Sequence, residues 1–423
     1  MQLRNNDTTF ERIANTCDSD EIARILRVQS THFTTYFVIT VSLIAIFYKT
    51  KHIVCTIRRN YAKLTIIVVG AGPIGLTSAL ISLHCNRVRK LVVYEEQSRL
   101  NIERQSYQIA VQSSQVSMLR SYGVDFDNLE GLWHDGCFYT RVGIYLEFVL
   151  HVLPLFKTDV EINFGTKFTK DTRYIVDNMS GRKLVICCDG STGIASKILG
   201  LSDETVTYST GIFAAAAAID RRNQTSVPIP EKRVHNLSFD LSAYGTSAYE
   251  CNERTKFTLK LYGNSQCRHM ALAVNRCDTS VVRTLKSVLD KSMMRNIFLK
   301  CYNTYKRSKE TSISDSYCLN NMKFSPRLYE IKLSQKLETA AYITDCDLFI
   351  ITEGEAARSY NFNTGLDINM GLKGLASLPQ FIQSIVIADT EHSIVKSLVS
   401  KIEHSEGLSR EFLTFGLKQH LFT

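Results

Sequence analysis

The sequence predicts an α/β chain: a parallel-sheet unit in two pieces, a β-rich block inserted between them, and a helical C-terminus. Three observations predict it. The segment Thr65 to Glu96 reads as strand, glycine turn, helix, strand, acid. Two later apolar runs, Lys183 to Cys188 and Asp347 to Thr352, end in Asp189-Gly190 and Gly354-Glu355, as strands feeding a sheet edge do. Between them, residues 205–335 carry short strand-like runs and one helix.

In the first piece, Ile66 to Val69 leads into Gly70-Ala71-Gly72-Pro73-Ile74-Gly75. Gly70 allows a tight turn. Gly72 lets backbone approach a pyrophosphate. Gly75 lets the next helix pack close to the sheet. The helix start offers free amides and the positive end of its dipole to phosphates. A second strand, Leu91 to Tyr94, ends in Glu95, where an acid can accept hydrogen bonds from adenosine ribose hydroxyls. Strand, turn, helix and acid are in register, so this is a Rossmann-like dinucleotide fingerprint. It does not by itself separate NAD from FAD.

The remaining elements follow in order. Ser19-Asp20-Glu21 marks a helix start. Gln97 to Gln108 is polar. Val111 to Tyr122 and Tyr145 to Leu155 have helical spacing, whereas Asp159 to Phe164 and Arg173 to Val176 alternate like strands. Gly211 to Ile219 is short, bounded by Gly211 and Asp220-Arg221, and reads as a strand despite its alanines. Val234 to Leu241, Lys256 to Leu261 and Met270 to Val274 are further strands. Val281 to Tyr302, Gly371 to Ile387 and Ser393 to Ile402 read as helices. The expected units are 1–64, an N-terminal helical segment and candidate membrane anchor; 65–204; 205–335; and 336–423.

Composition narrows the class. With 423 residues, 44% hydrophobic and 22% charged, the chain is globular. The net charge of +9 is spread out, which argues against a nucleic-acid footprint. Twelve cysteines without a C-x-x-C pair disfavour a zinc site or disulfide scaffold and fit a reducing, cytoplasmic setting. No metal is expected. No Lys, Arg, Asp or Glu occurs from Val28 to Tyr48. Lys49, Lys51, Arg58, Arg59 and Lys63 follow, against Arg24 and Arg27 before, so a span there would leave the body in the cytosol. The run lies too deep and lacks the basic start of a signal peptide. The alternative is a helix packed on the main body.

Three segments together resemble FAD-dependent monooxygenases of the aromatic-hydroxylase type, which include MICAL-type enzymes. They are the Gly70 fingerprint with Glu95, the run LVICCDGSTGIASKILGL from Leu184 to Leu201, and LFIITEGEAARSYNFNTGLDINMGLKGL from Leu348 to Leu375. The resemblance covers roughly residues 65 to 390. It implies a three-layer, Rossmann-like FAD-binding domain with an inserted β-rich substrate domain. It implies cofactor contacts from Gly70 through Gly75, Glu95, Arg104, Asp189, Gly190, Gly354, Glu355, Gly365 and Asn369, with Gln108 a weaker candidate. It also implies NAD(P)H as reductant and a peroxyflavin that oxidises a small molecule or a protein side chain. No side chain declares itself catalytic. His134, Asp135 and Tyr139 are candidates for facing a substrate.

The chain departs from the family pattern at the flavin edge. Glu355 replaces the usual aspartate, Arg358 the histidine, Asn361-Phe362-Asn363 a proline segment, Asp367 a loop glycine, and Ser196-Lys197 an arginine. The nucleotide cradle is therefore expected intact and the flavin edge altered. Two alternatives stand beside the monooxygenase: a flavoprotein oxidase or dehydrogenase, and a non-enzymatic binding protein like the carriers of prenylated GTPases.

Overall fold

The computed structural model describes residues 19–224, 227, 229–239, 255–274, 289–362, 365 and 367–416. The chain divides into two compact units, Met1–Ala62 and Lys63–Thr423. The described residues of the first form a 43-residue helix, Ser19–Tyr61.

Among the described residues, the second unit is built on three sheets. The first has six strands: β1 (Leu64–Val69), β2 (Val88–Glu95), β6 (Asp159–Phe164), β7 (Lys183–Cys187), β14 (Ala340–Ile343) and β15 (Leu348–Thr352), in the order β14-β15-β7-β1-β2-β6. Five are parallel and β14 runs antiparallel at one edge. All six residues of β1 are buried. That suits an unbroken Leu-Thr-Ile-Ile-Val-Val run, because a parallel strand is covered on both faces. One face carries the Pro73–His84 helix, itself packed by Val142–Val152 and Leu378–Ile387. On the other, Ile67, Val69, Val92, Val185 and Ile350 meet Phe168, Val176 and Leu199. The polar residues of the Pro73–His84 helix are satisfied inside this packing. Ser82 donates to the Ser78 carbonyl, and the Thr77 hydroxyl meets that of Tyr145 at 2.7 Å.

The second sheet has seven strands. Six come from Thr205–Lys336: β8 (Thr205–Asp220), β9 (Pro230–Phe239), β10 (Thr255–Asn264), β11 (Cys267–Val274), β12 (Met322–Phe324) and β13 (Tyr329–Lys336). The seventh, β16 (Arg358–Tyr360), follows β15 directly. The alanine run lies inside β8, paired with β11 along one edge and with β12 and β13 along the other. Alternation splits its small side chains between faces. Ala215, Ala217 and Ile219 pack in one core with Met294, Phe298 and Tyr302 of the Lys291–Tyr305 helix, while Ala214 meets Tyr262, Ala271 and Phe362 in another. The third sheet is β3 (Gln108–Gln112), β5 (Cys137–Arg141) and β4 (Leu132–His134).

Several sequence expectations are corrected. Arg173 to Val176 lies in a helix, Lys170–Asn178, opened by Thr169 and Thr172 capping one another. Its buried residues, Thr172 and Val176, are four apart, while Tyr174 and Ile175 are exposed. Val111 belongs to β3, and the helix after it is Ser113–Ser121. Gly371 to Ile387 is two helices, Ile368–Leu375 and Leu378–Ile387, the second opened by Pro379 in its first turn. Of Val281 to Tyr302, residues 281–288 lie outside the described residues, and the helix starts at Lys291, where the Asp290 side chain caps Met293. Residues 240–241 and Asn363 also lie outside the described residues.

Candidate dinucleotide-binding site

The glycine turn separates into two kinds of glycine. Gly70 has φ +96°, and a Cβ there would lie 2.5 Å from the Cys188 carbonyl oxygen. A Cβ on Gly75 would lie 1.8 Å from the Gly70 carbonyl oxygen. Packing alone requires both. Gly72 differs: its φ of −69° suits any residue, and an added Cβ would meet nothing within 4 Å. The fold gives no reason for glycine there. A ligand pressed against the backbone does.

Gly72, Pro73 and Ile74 line a cavity of about 590 Å³, within the range of cofactor sites. The cavity runs along the carboxyl ends of all five parallel strands. Glu353 and Gly354 follow β15, Cys188 to Gly190 follow β7, Gly70 to Gly72 follow β1, Glu95 to Gln97 end β2, and Thr166 to Phe168 follow β6. This is where nucleotide ligands sit in open α/β sheets. The first bond of the Pro73–His84 helix runs from the Leu76 amide to the Gly72 carbonyl. The helix has no acid in its first turn, so its positive end is left for an anion.

Glu95 accepts the Ala71 amide at 2.6 Å through one carboxylate oxygen and the Gln97 amide at 2.7 Å through the other. Each oxygen keeps a lone pair. Asp189 lines the cavity beside Gly190 and accepts the Ala195 amide at 2.9 Å; burial raises its pKa, and that amide opposes the shift. Glu355 also lines the cavity, and desolvation by the protein around it pushes its pKa up. Tyr107 faces the same space. Its hydroxyl is pushed up to about 12 by burial, then by the charges of Glu355 and Asp367.

The structure brings Gly70 to Ile74, Glu95, Asp189, Gly190, Gly354, Glu355 and Gly365 to this cavity, with Asp367. Gly75 sits behind it as packing. Arg104 and Asn369 do not line it. Arg104 is exposed at the end of the Arg99–Glu103 helix, its amide bonded to the Leu100 carbonyl. Ile102 and Gln105, three apart on one face of that turn, line the cavity instead. The Ser98 cap, which accepts the Asn101 amide, fixes that phase and was the signal available. Asn369 is fully buried; its amide accepts from the Gln112 N–H at 2.8 Å and donates to the Ala110 carbonyl at 2.7 Å. It pins the start of the Ile368–Leu375 helix to β3. Gln108 accepts the Gly263 amide at 2.6 Å, joining β3 to β10.

The substrate-facing candidates lie outside the cavity lining. His134 and Asp135 are exposed, and Asp135 pairs with Lys232 at 3.1 Å. The Lys232 ammonium lies 5.7 Å from the ring centre of buried Tyr139. On β10, Lys260 is buried and its pKa falls to about 7; burial and Lys232 lower it, Cys137 and Asp367 raise it.

Arg358, read in the sequence as a departure, belongs to a buried cluster. Its guanidinium lies 3.5 Å from Glu353 and donates to the Ser405 carbonyl at 3.0 Å. Lys401 also pairs with Glu353 and donates to Ser377 Oγ at 2.8 Å. A Cβ on Gly374 would lie 2.4 Å from a Glu353 oxygen, so this glycine leaves room for the cluster. The cluster joins the end of β15 to the Glu391–Glu411 helix.

No protein-family model matches the chain, and no curated protein matches it in sequence. Among solved structures, p-nitrophenol 4-monooxygenase from Pseudomonas putida DLL-E4 aligns at 14% identity over 84% of this chain and 89% of its own, with a TM-score of 0.48. A tetracycline destructase aligns at 12% identity over 85% and 93%, TM-score 0.44. The tetrameric form of 2-methyl-3-hydroxypyridine-5-carboxylic acid oxygenase aligns at 10% identity over 84% and 94%, TM-score 0.46.

Proposed function

We propose that this chain is an FAD-dependent oxidoreductase, and specifically a monooxygenase that uses NAD(P)H and O₂. The observation that carries the reading is Gly72: a glycine that neither backbone angle nor packing demands, at a helix start in a cavity crossing five strand ends. The residues fit the cofactor. The amides at the start of the Pro73–His84 helix would take the pyrophosphate, and Glu95 the adenosine ribose. Glu355, raised by its surroundings, would meet ribityl hydroxyls. Gly365 and Met370, near the start of the Ile368–Leu375 helix, would line the flavin end. The bound flavin supplies hydride and oxygen chemistry; the protein supplies binding, orientation and exclusion of water.

Asp367 favours a second reading. A carboxylate beside a reduced, anionic flavin raises its energy. That supports a protein that keeps the nucleotide but turns over slowly or not at all. Purified full-length chain, loaded with FAD and mixed anaerobically with NADPH or NADH, separates the readings. Bleaching of the oxidised flavin's visible absorbance, followed by oxygen uptake with substrate, is expected for the monooxygenase. A bound flavin that neither nicotinamide reduces would overturn it. Reduction that yields only hydrogen peroxide would assign an oxidase.

A further inference from the structure

The N-terminal helix has a feature that nucleotide binding does not use. From His32 to Lys51 every residue is exposed. The exposed large apolar residues include Phe33, Phe37, Val38, Ile39, Val41, Leu43 and Ile46. At 100° per residue these cover most of the circumference rather than one stripe. A helix that is apolar all round is a core helix or a membrane span, and an amphipathic surface helix has a polar face instead. A core helix would be covered; this one is not.

We infer that this helix crosses a lipid bilayer once, with the chain from Lys49 onward on the cytoplasmic side. Length, polarity and flanking charge support it independently. The segment His32–Lys51 has 20 residues, and an 18-residue window within it has a mean hydropathy of 1.4. At 1.5 Å per residue the segment is about 30 Å long, the thickness of a hydrocarbon core. The charge-free run is Val28 to Tyr48. Its polar content is partly neutralised inside the helix: the Thr40 hydroxyl donates to the Tyr36 carbonyl at 2.8 Å, and at the boundary Thr50 donates to the Ile46 carbonyl at 2.8 Å. Ser42 and His32 are the residues that oppose insertion, His32 at the end where water is near. Tyr48 stands at the other boundary, where amphipathic rings prefer to lie. Lys49, Lys51, Arg58, Arg59 and Lys63 follow closely, against Arg24 and Arg27 before. That excess orients the C-terminal side toward the cytosol.

The test uses the full chain expressed in cells, beside the double variant Ile39→Lys, Leu43→Lys, which keeps helix propensity and places two charges mid-span. Wild type should stay in the membrane pellet after alkaline carbonate and dissolve in mild detergent, with an intact mass that retains the helix. The double variant should be at least ten-fold enriched in the soluble fraction. Wild type in the soluble fraction, or released by carbonate, overturns the span. So does a pellet that resists detergent as an aggregate, or an intact mass showing the helix removed as a leader. A glycosylation acceptor fused ahead of Met1 should be glycosylated and one fused after Thr423 should not; the reverse pattern overturns the orientation. None of these readouts depends on flavin binding.

Discussion

The Glu95 carboxylate holds the Ala71 amide at 2.6 Å, tying the end of β2 to the middle of the glycine turn. One acid thereby shapes the turn and remains available to a ribose. Charge-assisted hydrogen bonds are worth about 1.5–3 kcal/mol each. Glu95→Leu should therefore weaken FAD binding by roughly ten- to a hundred-fold. Fluorescence titration with FAD measures it.

Gly72 and Gly75 should respond in opposite ways. Gly72→Val places its side chain in open cavity, so the ligand-free protein should melt within about 2 °C of wild type but lose its stabilisation by FAD. Gly75→Ala forces a methyl against the Gly70 carbonyl and should reduce soluble yield with or without FAD. Thermal unfolding at fixed FAD concentration distinguishes them.

Arg104→Ala should leave FAD affinity within about two-fold of wild type, because an exposed charge contributes little. Gln105→Ala should weaken it several-fold. The same titration checks both.

Glu353 neutralises one of two buried cations, Arg358 and Lys401. Removing it leaves both uncompensated. Glu353→Ala should cost about 3–5 kcal/mol in urea unfolding, and a Lys401→Met, Glu353→Gln double variant less than the sum of its singles.

Lys260 makes stability depend on pH. Its pKa falls from an ordinary 10.5 to about 7 in the folded protein. Between those values the unfolded chain binds one more proton than the native chain, so stability rises with pH across that window. The cost of burying the charged form is fully present below about pH 7. Wild type should gain on the order of 1–3 kcal/mol more than Lys260→Met between pH 7 and pH 10. Urea midpoints across that range show the difference.

What the sequence revealed followed the range of the interactions. The turn from Ile66 to Gly75 was legible because its strand, glycines and helix are contiguous. The alanine strand was legible through its end at Asp220-Arg221, whereas Gly211, read as its start, lies inside β8 with a positive φ where the register to β13 shifts. Arg173 to Val176 misled because Thr169 and Thr172 cap each other, and that local bond outweighs a four-residue alternation. Arg104 was one residue off because helical phase depends on the Ser98 cap. Asn369 could not be read, since its partners Ala110 and Gln112 lie some 260 residues earlier. The buried Glu353 cluster was equally hidden, because Lys401 comes from a separate helix whose placement no local pattern records.

FAD binding in the cavity along the five strand ends is best checked by an equilibrium FAD titration of the purified full-length chain in detergent micelles, with Gly72→Val in parallel. Wild type should take up one FAD per chain saturably, and a folded Gly72→Val should take up none. A folded wild-type protein that takes up no FAD, or a variant that binds it equally well, would contradict FAD binding in this cavity.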